Sequence, residues 1–176
     1  MRHLIGFLLL TVPGAAWAQA ATPPAKPAPC TDANHHAFDF WVGRWDVHPF
    51  PGGPLVAHSL IESLYGGCAV RENWMPLKGG GGGSLNIYDS RDGKWHQSWV
   101  DSGGTRASFT GGIQGDAMVL SGEWAGSGPK GEDGITRMTY SRQAGGAVRQ
   151  RGEFSADGGK TWVATFDLLY TPAKPA

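Results

Sequence analysis

Glycine corners divide this chain into runs too short for most helices. It holds 28 glycines in 176 residues, more than twice the usual share of about 7%. The stretches between them run for roughly 6 to 12 residues, a length that suits strands. Several stretches alternate apolar and polar side chains. Lys94–Asp101 puts Trp95 and Trp99 on one face, Ala117–Trp124 does the same with Met118, Leu120 and Trp124, and Lys160–Tyr170 with Trp162, Ala164, Phe166 and Leu168. Between such runs sit Asp92-Gly93, Gly115-Asp116 and Asp157-Gly158-Gly159. These pairs supply the positive φ that tight hairpin turns require. Nine or ten strands follow, at about 43–49, 55–65, 68–75, 84–90, 94–101, 105–110, 117–125, 135–142, 147–155 and 160–170. Short connections make them an up-and-down meander, and a meander this long closes because closure removes exposed edges. The expected fold is all-β: one up-and-down antiparallel barrel of about 8–10 strands.

One segment pulls the other way. Val56, Ala57, Leu60, Ile61, Leu64 and Tyr65 also fall at helical spacing, with Gly66-Gly67 as a stop. A strand is the preferred reading, since a helix there would interrupt the meander. The one helix expected is a short turn near His35 to Phe40, capped by Asn34.

The N-terminus reads as a secretory signal peptide, residues 1–18. Arg2 and His3 precede a short apolar run, Leu4 to Val12, and then Ala16-Trp17-Ala18; cleavage after Ala18, or after Ala20, fits. The apolar run is too short for a membrane span. Residues 19–34 read as an Ala/Pro-rich flexible leader, 35–171 as the barrel domain, and 172–176 as a disordered tail. Removing Arg2 from the 15 Lys and Arg leaves 14 against 15 acids, so no electrostatic footprint for nucleic acid or anionic membrane exists. The expected location is periplasmic or secreted. In such an oxidising compartment Cys30 and Cys68 are expected to form a disulfide, with two free thiols as the alternative.

Phe38-Asp39-Phe40-Trp41-Val42-Gly43-Arg44-Trp45-Asp46-Val47 is the most specific string in the chain. Its Gly43-Arg44-Trp45 resembles the G-x-W signature that opens the first strand of lipocalins and related calycin barrels. The whole string resembles a group of uncharacterised exported bacterial proteins with F-D-F-W-x-G-x-W-D-V near the mature N-terminus. Gly67-Cys68, Glu72-Asn73-Trp74 and Ser155 to Trp162 are further matches. The resemblance implies a barrel whose end is closed by Trp45, with a cation from a late strand, Arg149 or Arg151, on its ring. It implies little about function. Ser155-Ala156-Asp157-Gly158-Gly159-Lys160-Thr161-Trp162 also fits the Asp-box of sialidase propellers, where it is a structural turn. Asp157, Gly159 and Trp162 are therefore read as structural, alongside Gly43 and Trp45.

No catalytic motif is recognisable. There is no G-x-S-x-G elbow, and the Gly79–Gly83 run lacks a phosphate-loop ending and reads as a mobile loop at one barrel end. The histidines show no zinc spacing, so no metal or cofactor is expected; His58 and His96 are the ones in strand interiors. The polar residues between large apolar ones suggest a partly polar interior. A barrel of this size can hold a ligand between aromatic walls and a few polar groups. The leading expectation is a small hydrophobic or amphipathic molecule held by Trp74, Tyr88, Gln97 and Trp99 as wall, with Glu72, Asn86 and Arg137 as polar anchors. Glu153 is also read as a mid-strand interior group. Plain amphipathic alternation, with these groups facing water, is the competing reading. Two further classes stay open: an enzyme with Glu72 or His96 as general base in the cavity, and a structural or partner-binding domain with a filled core.

Overall fold

A computed structural model describes residues 29–174. The expected signal peptide, the leader as far as residue 28 and the last two residues lie outside them. Ten strands form: β1 (Gly43–Pro49), β2 (Ala57–Leu64), β3 (Ala69–Pro76), β4 (Gly82–Asp89), β5 (Lys94–Asp101), β6 (Arg106–Gln114), β7 (Ala117–Trp124), β8 (Gly134–Arg142), β9 (Val148–Ser155) and β10 (Val163–Pro172). Each pairs antiparallel with the next. β10 returns to β1, with Trp45 opposite Pro172 and Pro49 opposite Leu168, so the sheet is one closed barrel. Closure leaves no strand with an unpaired row of backbone groups.

The disputed 56–65 segment is β2, followed by a 3-10 turn at Tyr65–Gly67. Its Ala57, Ser59 and Ile61 face inward and are buried, a period of two that helix spacing cannot satisfy. The hairpin glycines have positive φ as expected: 71° at Gly93, 60° at Gly115, 74° at Gly158. β10 runs to Pro172, and Ala173 N–H donates to Arg44 O at 2.9 Å.

Residues 30–42 seal one end of the barrel. A 3-10 turn, Asp39–Trp41, carries Phe38 and Trp41 into the core, both fully buried. Their rings stack at 5.0 Å, Trp41 meets Tyr140 at 4.8 Å, and Trp95 meets Phe38 edge-on at 5.6 Å. The cap of this segment is Asp32, not Asn34. The Asp32 carboxylate accepts the backbone N–H of Asn34 and His35, while the Asn34 backbone carbonyl accepts from Ala37 N–H and the Trp95 indole. The Cys30–Cys68 disulfide is formed and staples the incoming chain to the β2–β3 turn. Trp45 is 5% exposed and donates its indole N–H to Trp41 O at 2.8 Å.

Among the described residues no late cation is placed over Trp45. Arg149 instead lies over Phe50 at 3.8 Å and pairs with Asp167, and Arg151 pairs with Glu153. These arginines sit at odd positions of β9 and point outward, while Trp45 points inward. The cation at the sealed end is Arg142, 4.2 Å over Phe40.

β10 corrects a second expectation. Its register against β9 shifts between Ala164 and Phe166. The extra residue, Thr165, reverses the faces. Phe166, Leu168 and Tyr170 point inward, while Trp162 lies on the outer surface beneath the Arg137 guanidinium, 4.1 Å away. The turn before it is built as an Asp-box. Ser155 Oγ accepts from Gly159 N–H at 2.8 Å, and Asp157 accepts from Lys160 N–H, Thr161 N–H and the Thr161 hydroxyl. Those bonds, the Thr161 backbone's first, hold the Asp157 carboxyl at about 2.

Candidate functional site

At the end opposite the seal, inward side chains stop short of filling the barrel. They leave a cavity of about 270 Å³. Trp74 of β3, Trp99 of β5, Trp124 of β7 and Phe166 and Leu168 of β10 form its upper wall, and all five are half-buried. Two glycines make room for the rings. A Cβ at Gly152 would sit 2.2 Å from Phe166, and one at Gly82 2.6 Å from Trp99. Gly82 and Gly83 belong to β4, and Gly81 O accepts Ser102 N–H at 2.9 Å. The glycine run is thus tied into the sheet at its end and is not wholly the loop expected.

Below the aromatic rings, a polar belt crosses the barrel. Ser59 and Ser84 hydroxyls donate to the two Glu72 oxygens at 3.5 and 3.2 Å. Asn86 donates to Val70 O at 2.9 Å and to Ser84 at 3.0 Å, and accepts from the Gln97 amide at 2.7 Å. Gln97 also reaches the Tyr140 hydroxyl at 3.4 Å, and Gln150 donates to that hydroxyl at 3.0 Å. The Tyr170 hydroxyl donates to Gln150 at 2.7 Å and lies beside Glu72, which closes the circuit. All these groups are buried. The belt satisfies each with a neighbour, as buried polar groups require.

Glu72 is the exception in charge. No Lys, Arg or His is among the residues lining the cavity. Burial raises its carboxyl from 4.5 to about 7, outweighing the hydrogen bonds from Ser84, Ser59 and Tyr170. Burial and the neighbouring Glu72 push the Tyr140 and Tyr170 phenols upward too, so both stay protonated at neutral pH.

Of the residues expected to form the site, Glu72, Trp74, Gln97 and Trp99 meet at the cavity. Asn86 is buried one layer beneath and orients Gln97. Tyr88 points inward at the sealed end, against His35 at 5.0 Å and Trp95 at 6.3 Å, and does not line the cavity. Arg137 is on the outer face, where it pairs with Glu153 at 2.8 Å and covers Trp162. It occupies the odd position between the inward Thr136 and Met138, so interior anchoring by Arg137, or by Glu153, is corrected. His96 is also outside, paired with Asp92 at 2.9 Å, and His58 pairs with Asp46 at 2.8 Å. A base at His96 is thereby removed. Among the described residues no cluster of three His, Cys, Asp or Glu forms a metal site.

Phe109, Trp124, Met138, Tyr140, Gln150, Phe166, Leu168 and Tyr170 complete the lining without having been singled out. Alternation within β7 and β8 would have brought in Trp124, Met138 and Tyr140. On β10 the alternation already puts Phe166 and Leu168 on one apolar face, and the bulge at Thr165 turns Trp162 away from that face. No protein-family model matches the chain, and no curated protein matches its sequence.

Proposed function

We propose that this protein binds a small, largely apolar molecule inside the barrel, with the molecule's polar end on the belt and its body among the tryptophans. The observation that carries the reading is the cavity of about 270 Å³ with aromatic walls and a hydrogen-bonded polar floor. A dry apolar cavity of about 150 Å³ already holds a benzene ring. The volume here accommodates a ring with a short substituent. Half-exposed indoles at the rim favour an occupant, since filling the space removes their apolar faces from water.

The test is native mass spectrometry of the protein taken from its own host, followed by thermal unfolding across a panel of apolar and amphipathic small molecules. A co-purified molecule, or a raised melting temperature with particular members of the panel, is expected. An empty barrel that no member of the panel stabilises overturns the reading. Trp99→Ala removes part of the wall and lowers affinity by about tenfold or more, the usual cost of losing a buried aromatic anchor.

A second reading has one observation behind it. A carboxyl titrating near neutrality in a cavity is suited to general acid–base work, which keeps Glu72 as a candidate catalytic group. Recovery of the bound molecule chemically unchanged after prolonged incubation removes it. We also propose that the protein works outside the cytoplasm. The signal-like first 18 residues and the formed disulfide support this. N-terminal sequencing of the host-derived protein should begin at Gln19 or Ala21, and an intact Met1 would refute it.

A further inference from the structure

We infer that the molecule the cavity receives is an organic ammonium ion, a protonated amine on an aryl or short alkyl body, with Glu72 as its counter-ion. The inference rests on the binding reading above and names the ligand class.

Hydrogen-bond accounting leads to it. The orientation of the belt is fixed from one end. Val70 O can only accept, so the Asn86 amide nitrogen must face it. Asn86 therefore turns its oxygen to Gln97, and Gln97 must answer with its nitrogen. Both protons of the Asn86 nitrogen are then used, on Val70 and Ser84. Both protons of Gln97 are used, on Asn86 and Tyr140. Gln150 gives its own to Tyr140 and Met138, and Tyr170 gives its proton to Gln150. The Ser84 hydroxyl is spent on Glu72, and the Ser59 hydroxyl is shared between Glu72 and the Asn73 carbonyl oxygen at 3.4 Å. What the floor has left is acceptor capacity. Among the described residues none donates to the Gln97 side-chain oxygen, which is not among the atoms sealed from solvent. The Glu72 carboxyl holds only two long hydroxyl contacts and the Tyr170 neighbour. A ligand that brings acceptors meets little on this floor, where the Tyr140 proton rests on Met138 Sδ at 3.6 Å; one that brings several N–H donors meets the unused Gln97 oxygen and the Glu72 carboxyl, whose two oxygens hold only long hydroxyl contacts.

Charge and ring faces then select a cation. Glu72 is the cavity's one carboxyl, with no basic side chain among the residues that line the space. The titratable groups facing it are the Tyr140 and Tyr170 phenols, both held protonated. At the rim Asp101 accepts the Trp99 indole N–H at 3.3 Å, and its Thr105 contacts keep it ionised. A carboxylate beneath Trp74, Tyr140 and Tyr170 suits an ammonium group, which carboxylate and π faces attract together. The same field repels a fatty acid or other anion.

Isothermal titration of the disulfide-bonded protein against three matched probes tests this: 2-phenylethylamine, 2-phenylethanol and 3-phenylpropionate. Near pH 8 the amine should bind at least about tenfold tighter than the alcohol, and the acid should be weakest. Toward about pH 5.5 the preference for the amine should shrink as Glu72 takes up a proton, while alcohol binding stays level. In Glu72→Gln the amine and the alcohol should bind alike. Should that variant fail to fold, the pH comparison on the unaltered protein decides. An alcohol bound as tightly as the amine near pH 8, a preference for the amine unaltered by pH or by Glu72→Gln, or a host-derived ligand lacking an amine would sink the ammonium assignment and leave the binding reading intact. If none of the probes binds and the host-derived protein is empty, both fall.

Discussion

A carboxyl group buried among serines and phenols, with no cation beside it, sets a cost that varies with pH. Glu72 titrates at 4.5 ordinarily and at about 7 in the barrel. At about 1.4 kcal/mol per pH unit, that difference amounts to about 3 kcal/mol. The sign follows from linkage. The folded protein prefers the protonated acid, so this contribution is fully present below pH 4.5, fades between 4.5 and about 7, and is gone above that. Chemical denaturation of the ligand-free protein should show this decline, and Glu72→Gln should remove it and be the more stable protein near pH 8 by up to about 3 kcal/mol. An unchanged decline in that variant would assign it to another group. Gly152 answers to sterics instead. A methyl there lies 2.2 to 2.5 Å from three atoms of the Phe166 ring, so Gly152→Ala should cost about 1–3 kcal/mol by overpacking and drive the ring into the cavity, weakening binding as well. At this scale the sequence is readable wherever alternation runs unbroken: Glu72, Trp74, Gln97 and Trp99 lie two apart on β3 and β5 and reach the same space. It misleads at Arg137. A mid-strand arginine looks the same on either face of a strand; the inward Thr136 and Met138 on either side of it, and Trp162 brought beneath it from a distant turn, show that it lies outside.

Among the elements, the turn of the β9–β10 hairpin carries a bonded structure of its own on the outside of the barrel. Asp157 accepts three bonds from Lys160 and Thr161, the turn holds Trp162 through its N–H to Gly159 O at 3.0 Å, and the indole supports Arg137, which grips Glu153. Asp157→Ala should lower the melting temperature by several degrees while leaving ligand affinity unchanged, because none of these groups lines the cavity. A loss of affinity equal to that of Trp99→Ala would show that the hairpin shapes the pocket after all. The ten strands were legible because glycine and Asp-Gly corners mark their ends. The bulge was not. Around Ala164, Thr165 and Phe166 the sequence alternates acceptably in two registers, and pairing with the small Gly152 decides between them. The plug from Phe38 to Trp41 is marked by its dense aromatics, but its cap was misplaced, because Asp32 and Asn34 offer the same chemistry two residues apart.

Over the whole molecule, the β1–β10 seam and the Cys30–Cys68 bridge, which spans 38 residues, join distant parts of the chain. By the chain-entropy argument a loop of that length contributes about 4 kcal/mol. Reduction should lower the denaturation midpoint accordingly. It should loosen the plug end first, seen as faster amide exchange around residues 34–42 than around the cavity. Uniform loosening would mean that the plug is held by packing alone. Closure itself was legible, since a long meander of short strands has no other economical way to satisfy its edges. The empty volume was not, because whether side chains meet across a barrel depends on ring orientations that no alternation pattern encodes.

The seam also sets an order of events. Phe166, Leu168 and Tyr170 come from the final strand, so a growing polypeptide carries the binding residues of six earlier strands before any binding place exists. Until those last residues arrive, β1 and β9 are two bare ladders seeking a partner. A prematurely halted chain would offer them to its neighbours, and the expected product is a clump of mutually paired fragments rather than a weakened receptor.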